Sequence, residues 1–117
     1  KYYFQIASDL GYVFAFNNLG KIYESDNEEE AIKYYKISAD MNNSWALNKV
    51  GEYYRKRNNL ETAFIYYKKA IECPIKEVCK YAYYNLAKYY YEVGNKQLNI
   101  EKDEIKAREY YDKFNNM

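Results

Sequence analysis

The chain has 117 residues, which is enough for one domain with a continuous core and too few for two independent cores. Its 18 basic and 17 acidic residues nearly balance, so the composition indicates neither disorder nor a surface built to attract polyanions. The longest purely apolar run, residues 12–16, is far shorter than the roughly 20 residues that span a bilayer, so we expect no membrane contact.

The sequence lacks the side chains that most catalytic and metal sites need. Histidine is absent, which excludes the nucleophile triads that depend on a histidine base. Cys73 and Cys79 match neither a redox pair nor a zinc half-site, and we expect two buried, reduced thiols, although a disulfide across a loop is geometrically feasible. Reduced thiols favour a cytoplasmic location. We therefore predict a protein that is not an enzyme and that needs no cofactor and no metal.

The predicted elements are seven helices and no strand, near residues 1–9, 12–24, 28–41, 44–57, 60–72, 76–93 and 103–115. Three of them, the A helices, carry apolar or aromatic residues at i, i+3 and i+7 around a small residue at i+4, so each set lies on one helix face. The small residues, which would let a second helix approach closely, are Gly20, Gly51 and Ala87.

A second pattern marks the B helices, in which a small residue precedes a tyrosine by four positions. These pairs are Ala31 and Tyr35, Ala63 and Tyr67, and Ala107 and Tyr111. The predicted N-caps of the B helices are Asp26 or Asn27, Asn58 with Asn59, and Asp103, and Asn42 with Asn43 is predicted to end the first one. Residues 2–11 align with residues 33–42, so the chain is expected to begin inside a B helix whose A partner is missing.

Tyrosine pairs recur in the B helices at residues 34–35, 66–67 and 110–111. Neighbouring residues on a helix point about 100° apart, so one ring of each pair is predicted to face its own A helix and the other the adjacent repeat. A base-stacking platform is the alternative. The basic run 55–57 is diluted by Glu52 and Glu61, and we expect no contact with nucleic acid.

The repeats resemble two related families. The second repeat, LNKVGEYYRKRNNLETAFIYYKKAIECP at residues 47–74, is similar to the tetratricopeptide pattern, with Leu47 where tryptophan is usual and Pro74 one residue early. The junctions ASDLGYVFAFNNLG at residues 7–20 and SADMNNSWALNKVG at residues 38–51 resemble those of Sel-one-like repeats. Residues 94–111 resemble the longer turn of that same family.

Both resemblances imply an all-α, right-handed superhelical solenoid of antiparallel helix pairs, with about three and a half repeats. We expect a single repeat domain over residues 1–117, divided into a half repeat at 1–11 and repeats at 12–42, 43–74 and 75–117. Because the chain begins with Lys1, we expect it to be a piece of a longer protein. The first helix, apolar at residues 2, 3, 4, 6 and 10, is expected to self-associate or to be covered by the longer chain.

The resemblance also implies a function, namely a non-enzymatic protein-interaction module that binds a peptide or partner helix on a concave face lined by the A helices. The groove positions of the family fall on Asn17, Lys21, Asn48, Glu52, Arg55, Tyr84, Lys88 and Tyr91. The alternative is a regulatory or sensing domain of a larger protein, such as a transcription regulator.

Overall fold

The computed structural model describes residues 2–73 and 79–117, with side chains from residue 11 onward within those ranges. The described residues form six α-helices, which are α1 (Tyr2–Glu24), α2 (Glu28–Asp40), α3 (Ser44–Lys56), α4 (Leu60–Ile71), α5 (Lys80–Leu86) and α6 (Glu104–Asn115). A π-helical turn, Ala87–Tyr91, continues α5 directly. The predicted all-α class is confirmed.

Each helix packs mainly against the next one along the chain, from α1 on α2 through to α5 on α6. The molecule measures 46 × 31 × 23 Å along its principal axes. Contacts restricted to neighbours are the organisation of a solenoid, so the predicted solenoid of helix pairs is confirmed. The A helices correspond to the second half of α1, to α3 and to α5 with its π turn, and the B helices correspond to α2, α4 and α6.

The prediction of seven helices is wrong, because the described residues form six and α1 runs without a break through residue 11. A glycine in a helix interior costs about 1 kcal/mol relative to alanine, which is too little to end a helix. Gly11 does not have a positive φ. Asn42 and Asn58, by contrast, adopt φ of 61° where α2 and α3 end. This left-handed conformation terminates a helix.

Two predictions fall outside the described residues. The self-association expected of the first helix depends on side chains of residues 1–10, and the start of the helix predicted at residues 76–93 lies in residues 74–78. The remaining helix boundaries agree with the prediction to within one or two residues.

Asparagine and aspartate side chains begin four of the helices. The side-chain oxygens of Asn27, Asn43, Asn59 and Asp103 each accept a hydrogen bond from the backbone N–H three residues later, at 3.1, 2.9, 3.2 and 2.9 Å. Such caps satisfy N–H groups that the first helical turn leaves unpaired. The predicted caps Asn27, Asn59 and Asp103 are confirmed. Asn58, predicted as a cap together with Asn59, instead follows the end of α3 with a positive φ, and Asn43, predicted to end α2, is the cap of α3.

Gly20 and Gly51 lie where an A helix and its B helix come closest. A Cβ atom on Gly51 would lie 2.7 Å from Cε1 of Tyr67, and a Cβ atom on Gly20 would overlap the ring of Tyr35. Both rings are buried. The prediction that these glycines occupy the helix crossings is therefore confirmed.

The tyrosine pairs divide their contacts differently from the prediction. Tyr67 packs on Gly51 of its own A helix and also meets Tyr90 of the next repeat, with ring centroids 6.1 Å apart. Tyr66 stacks on Tyr54, again of its own A helix, at 5.8 Å. A single ring thus contacts both repeats, because the buried tyrosine is large enough to reach from one A helix to the next.

The third repeat shifts the buried ring by one residue. In α6 the buried tyrosine is Tyr110, three residues after Ala107, whereas the predicted stripe placed Tyr111 there. Tyr110 meets Tyr83 and Tyr91 edge-on, both at 5.3 Å between centroids. The shift accompanies the π turn in the facing A helix, which changes the direction of the side chains that follow it.

Candidate functional site

Two of the predicted groove residues, Asn17 and Asn48, tie one repeat to the next. They are only 8% and 3% exposed. Nδ2 of Asn17 donates to Oδ1 of Asn43 at 3.3 Å, and Oδ1 of Asn48 accepts from Nδ2 of Asn85 at 2.9 Å. Asn48 also donates to Glu52 at 3.3 Å. Since buried amides need such partners, Asn48 has a structural role whatever else it binds.

Lys21, another predicted groove residue, lies beside an indole ring. Its Nζ atom is 4.9 Å from the ring centroid of Trp45, and Nζ of Lys49 is 5.3 Å from the same centroid. Lys49 also pairs with Glu24 at 2.9 Å. An ammonium group within about 6 Å of an indole face is attracted to it. Trp45 is thus the centre of a cationic cluster between α1 and α3.

Trp45 and Lys49 are not among the residues predicted to form the groove. The only signal for Trp45 was that it is the single tryptophan of the chain, and nothing in the spacing of Lys49 connects it with Glu24. Their contacts join different helices of the folded chain, so helical periodicity could not reveal them.

The ring of Tyr89 connects three of the predicted residues, Arg55, Tyr84 and Lys88. Nε of Arg55 donates to the hydroxyl of Tyr67 at 3.2 Å, and its guanidinium lies 4.0 Å from the ring centroid of Tyr89. Nζ of Lys88 lies 5.3 Å from the same ring and 5.6 Å from that of Tyr84. This cluster connects α3 with the π turn.

Tyr91 is not brought to the other predicted residues. It is 7% exposed and lies in the core with Tyr110 and Phe64, at centroid distances of 5.3 and 6.4 Å. The resemblance to the family placed Tyr91 in the groove with Tyr84, and in a regular α-helix two residues seven positions apart share a face. The intervening π turn has more residues per turn, which directs Tyr91 toward α4 and α6.

A cleft of about 300 Å³ opens between α1 and α3. Phe14, Asn17, Lys21 and Trp45 line it, and the Phe14 side chain is 66% exposed. Oδ1 of Asn17 is buried and has no hydrogen-bond partner among the described residues. The cleft therefore has apolar walls, and one of its lining residues, Asn17, carries a buried acceptor without a partner among the described residues.

Cys73 and Cys79 are both free thiols. We predicted that both would be buried, but both are half-buried. Burial raises the pKa of each thiol above its usual value. In the described part of the chain, no three His, Cys, Asp or Glu side chains group as metal ligands. None of the described helices has the length and apolar character needed to cross a membrane.

The fold and the side chains on its A helices define a helical repeat solenoid with an open polar and aromatic face. A family model for the Sel1 repeat matches residues 1–12, 17–43, 46–74 and 80–116, and the chain belongs to the Sel1 repeat family. Sel1 repeats are in general protein–protein interaction modules of a non-catalytic, scaffolding type. No curated protein matches the chain.

Proposed function

We propose that this chain binds an extended peptide of a partner protein along the surface where its A helices contact one another. We call this surface the A-helix face and define it by Phe14, Asn17, Lys21, Trp45, Lys49, Glu52, Arg55, Tyr84, Lys88 and Tyr89. We further propose that residues 1–117 act as one repeat domain, and that it works in the cytoplasm, as the two free thiols favour.

The observation that carries the proposal is the cleft between α1 and α3. Leaving a buried acceptor such as Oδ1 of Asn17 unpaired costs about 1–3 kcal/mol, and an N–H group of a peptide backbone would recover that free energy. Phe14 and Trp45 beside it offer apolar surface to a side chain of the same peptide. Together they match the usual composition of a binding site, apolar walls with a few polar groups that fix orientation.

Selection of peptides from a display library on the whole chain tests this proposal. Trp45, the single tryptophan, lines the cleft, so its fluorescence should change when a selected peptide binds. The double variant Phe14→Ala, Lys21→Ala should weaken the peptide about tenfold, because it removes an apolar contact and a charge from the cleft.

The matched control removes an exposed apolar residue and a lysine from the B helices instead. Ile65 in α4 is 47% exposed and Lys33 lies exposed on α2, so Ile65→Ala with Lys33→Ala changes similar surface elsewhere. We expect this control to keep full affinity and both variants to keep full helicity by circular dichroism. Equal losses in the two double variants would contradict the proposed face.

A further inference from the structure

The hydroxyl of Tyr35 belongs to the buried ring that packs on Gly20. Tyr35 is 2% exposed, and among the described residues nothing bonds to its hydroxyl. Buried hydroxyls are normally paired, since an unpaired one loses its bonds to water without replacement. The hydroxyl of Tyr90, for comparison, donates to the backbone carbonyl of Leu60 at 2.8 Å.

The second repeat shows which group fills the corresponding place. Tyr67 packs on Gly51 as Tyr35 packs on Gly20, and its hydroxyl accepts a hydrogen bond from the guanidinium of Arg55 at 3.2 Å. Arg55 stands four residues after Gly51. In the second repeat, a guanidinium is thus the hydrogen-bond partner of the tyrosine that is buried at the glycine crossing.

In the first repeat a carboxylate stands where the guanidinium would come from. Glu24 lies four residues after Gly20, and it pairs with Lys49 at 2.9 Å. An ionised carboxylate has no hydrogen to donate. Among the described residues, the first repeat therefore contains the acceptor, Tyr35, without the donor that the second repeat provides.

Tyr35 lines a cleft of about 180 Å³ between the end of α1, α2 and α3. Its charged lining residues are Glu24, Glu28, Glu52, Lys49 and Lys56. Lys49 pairs with Glu24 as above, and Arg57 pairs with Glu28 at 2.7 Å. Glu52 receives the amide of Asn48 and takes part in no salt bridge among the described residues. Among the described residues, Glu52 is thus the lining carboxylate without a salt bridge, while Lys49 and Lys56 line the same cleft.

We propose that this cleft receives an arginine side chain of the partner peptide, whose guanidinium donates to the Tyr35 hydroxyl and pairs with Glu52. The inference rests on the proposed function, because it names the residue by which a bound peptide is anchored. The planar guanidinium carries five N–H donors, enough to serve the hydroxyl and the carboxylate together. Ala31 and Ile32 also line the cleft and offer apolar walls to the methylene stem.

The electrostatics at Tyr35 favour a cation. Burial, followed by the charges of Glu24 and Glu52, raises the pKa of the Tyr35 hydroxyl above its usual value, so the hydroxyl is neutral at physiological pH. Both carboxylates act on this hydroxyl, but the charge of Glu24 is already paired with Lys49, so Glu52 is the carboxylate that a guanidinium would neutralise.

The test uses the blocked tripeptide acetyl-Gly-Arg-Gly-amide, titrated into the whole chain and followed by NMR chemical shifts. We expect saturable shifts at the residues that line the cleft. The same peptide with citrulline, which has nearly the same shape but no charge, should give none. Equal binding of the arginine and citrulline peptides would overturn the proposal.

Paired variants locate the contact. Tyr35→Phe and Glu52→Gln should each weaken the arginine tripeptide about tenfold, as expected for the loss of one charge-assisted hydrogen bond. Tyr34→Phe and Glu29→Gln change neighbouring residues that do not line the cleft, and they should leave the affinity unchanged. Unchanged affinity in both Tyr35→Phe and Glu52→Gln would overturn the assignment.

The variant Glu24→Arg copies the second repeat into the first. Its guanidinium should occupy the cleft from within the chain, so saturable binding of the tripeptide should be lost while the helices remain intact by circular dichroism. Full affinity in the folded Glu24→Arg protein would contradict the proposal. If the tripeptide does not bind while a display-selected peptide does, this inference fails and the proposed function stands.

Discussion

The first two repeats and the third repeat pack their helices in different ways. Gly20 and Gly51 each receive the ring of a buried tyrosine, so the A and B helices cross with a ring on backbone. The third repeat has Ala87 at the corresponding place, and there the buried ring of the B helix, Tyr110, packs against the rings of Tyr83 and Tyr91. Where the crossing residue carries a methyl group, the two helices of the pair therefore pack differently from the pairs that cross at a glycine.

The π turn of the third repeat is part of this different packing. It begins at Ala87 and ends at Tyr91, and it directs both Tyr90 and Tyr91 into the core. Ala87 is itself fully buried, so an α-helical turn with a tyrosine ring packed on it, as in the other repeats, would have to make room for the methyl group. Wide turns of this kind commonly lie where packing overrides the regular helix.

The largest predicted effect concerns alkaline pH, to which the third repeat should be the more sensitive. Burial is the main cause that raises the pKa of seven tyrosines above the usual value of about 10. Three of them are in the first two repeats, namely Tyr35, Tyr66 and Tyr67. Four are in the third repeat, namely Tyr90, Tyr91, Tyr110 and Tyr111.

A folded-state pKa above the unfolded value means that the stabilisation is complete below about pH 10 and is lost as the pH rises through the folded-state values. We therefore expect cooperative unfolding in alkali, seen as loss of helical circular dichroism together with a steep rise in tyrosinate absorbance. Amide exchange just below the transition should show α6 opening before α2. Gradual ionisation of all tyrosines near their ordinary pKa, with the helices intact, would contradict this.

The next prediction tests the glycine crossing directly. Gly51→Leu should lower the free energy of unfolding by roughly 1–3 kcal/mol or more, because the new side chain must displace the buried ring of Tyr67. Gly11→Leu is the matched control. Among the described residues, a Cβ atom at Gly11 meets nothing within 4 Å, so a leucine there should leave stability unchanged or raise it by up to about 1 kcal/mol. Similar melting temperatures for the two variants would show that the crossing does not need a glycine.

The reciprocal change tests the third repeat. Ala87→Gly should lower the free energy of unfolding by about 1–2 kcal/mol, through a poorer helix former and the loss of one buried methyl group. Denaturant unfolding of the variant measures this. A neutral or stabilising effect would mean that the third crossing has the same requirement as the first two, and the contrast between the regions would disappear.

Features that depend on local spacing were predictable from the sequence. The caps at Asn27, Asn59 and Asp103, the ends of helices near Asn42, and the crossing at Gly51 each follow from a few residues and the helical period. The continuous α1 was not predicted because a single glycine is a weak signal that tertiary packing readily overrides.

The candidate site was less accessible to sequence reasoning. The contact between Asn48 and Asn85 joins residues 37 positions apart, and the indole of Trp45 meets lysines from two helices. Such contacts depend on how the A helices stack. The spacing of residues within one helix does not predict that stacking. The burial of Tyr91 follows from a π turn that forms through packing against α4 and α6 rather than through local preference.

The smallest predicted effect distinguishes the two glycine repeats from each other. Tyr67→Phe removes a hydroxyl that accepts a hydrogen bond from Arg55, and the free energy of unfolding should fall by about 0.5–1.5 kcal/mol. Tyr35→Phe removes a hydroxyl that has no partner among the described residues, and removal of such a group is nearly neutral or stabilising. Both changes leave the aromatic ring in its place on the glycine, so the difference between them isolates the hydroxyl. Urea unfolding of the two variants in the same buffer measures it. Equal losses of unfolding free energy in the two variants would mean that the Tyr35 hydroxyl is already paired in the folded chain. If Tyr35→Phe leaves the unfolding free energy unchanged and still weakens binding of the arginine tripeptide, this hydroxyl contributes to binding and not to stability.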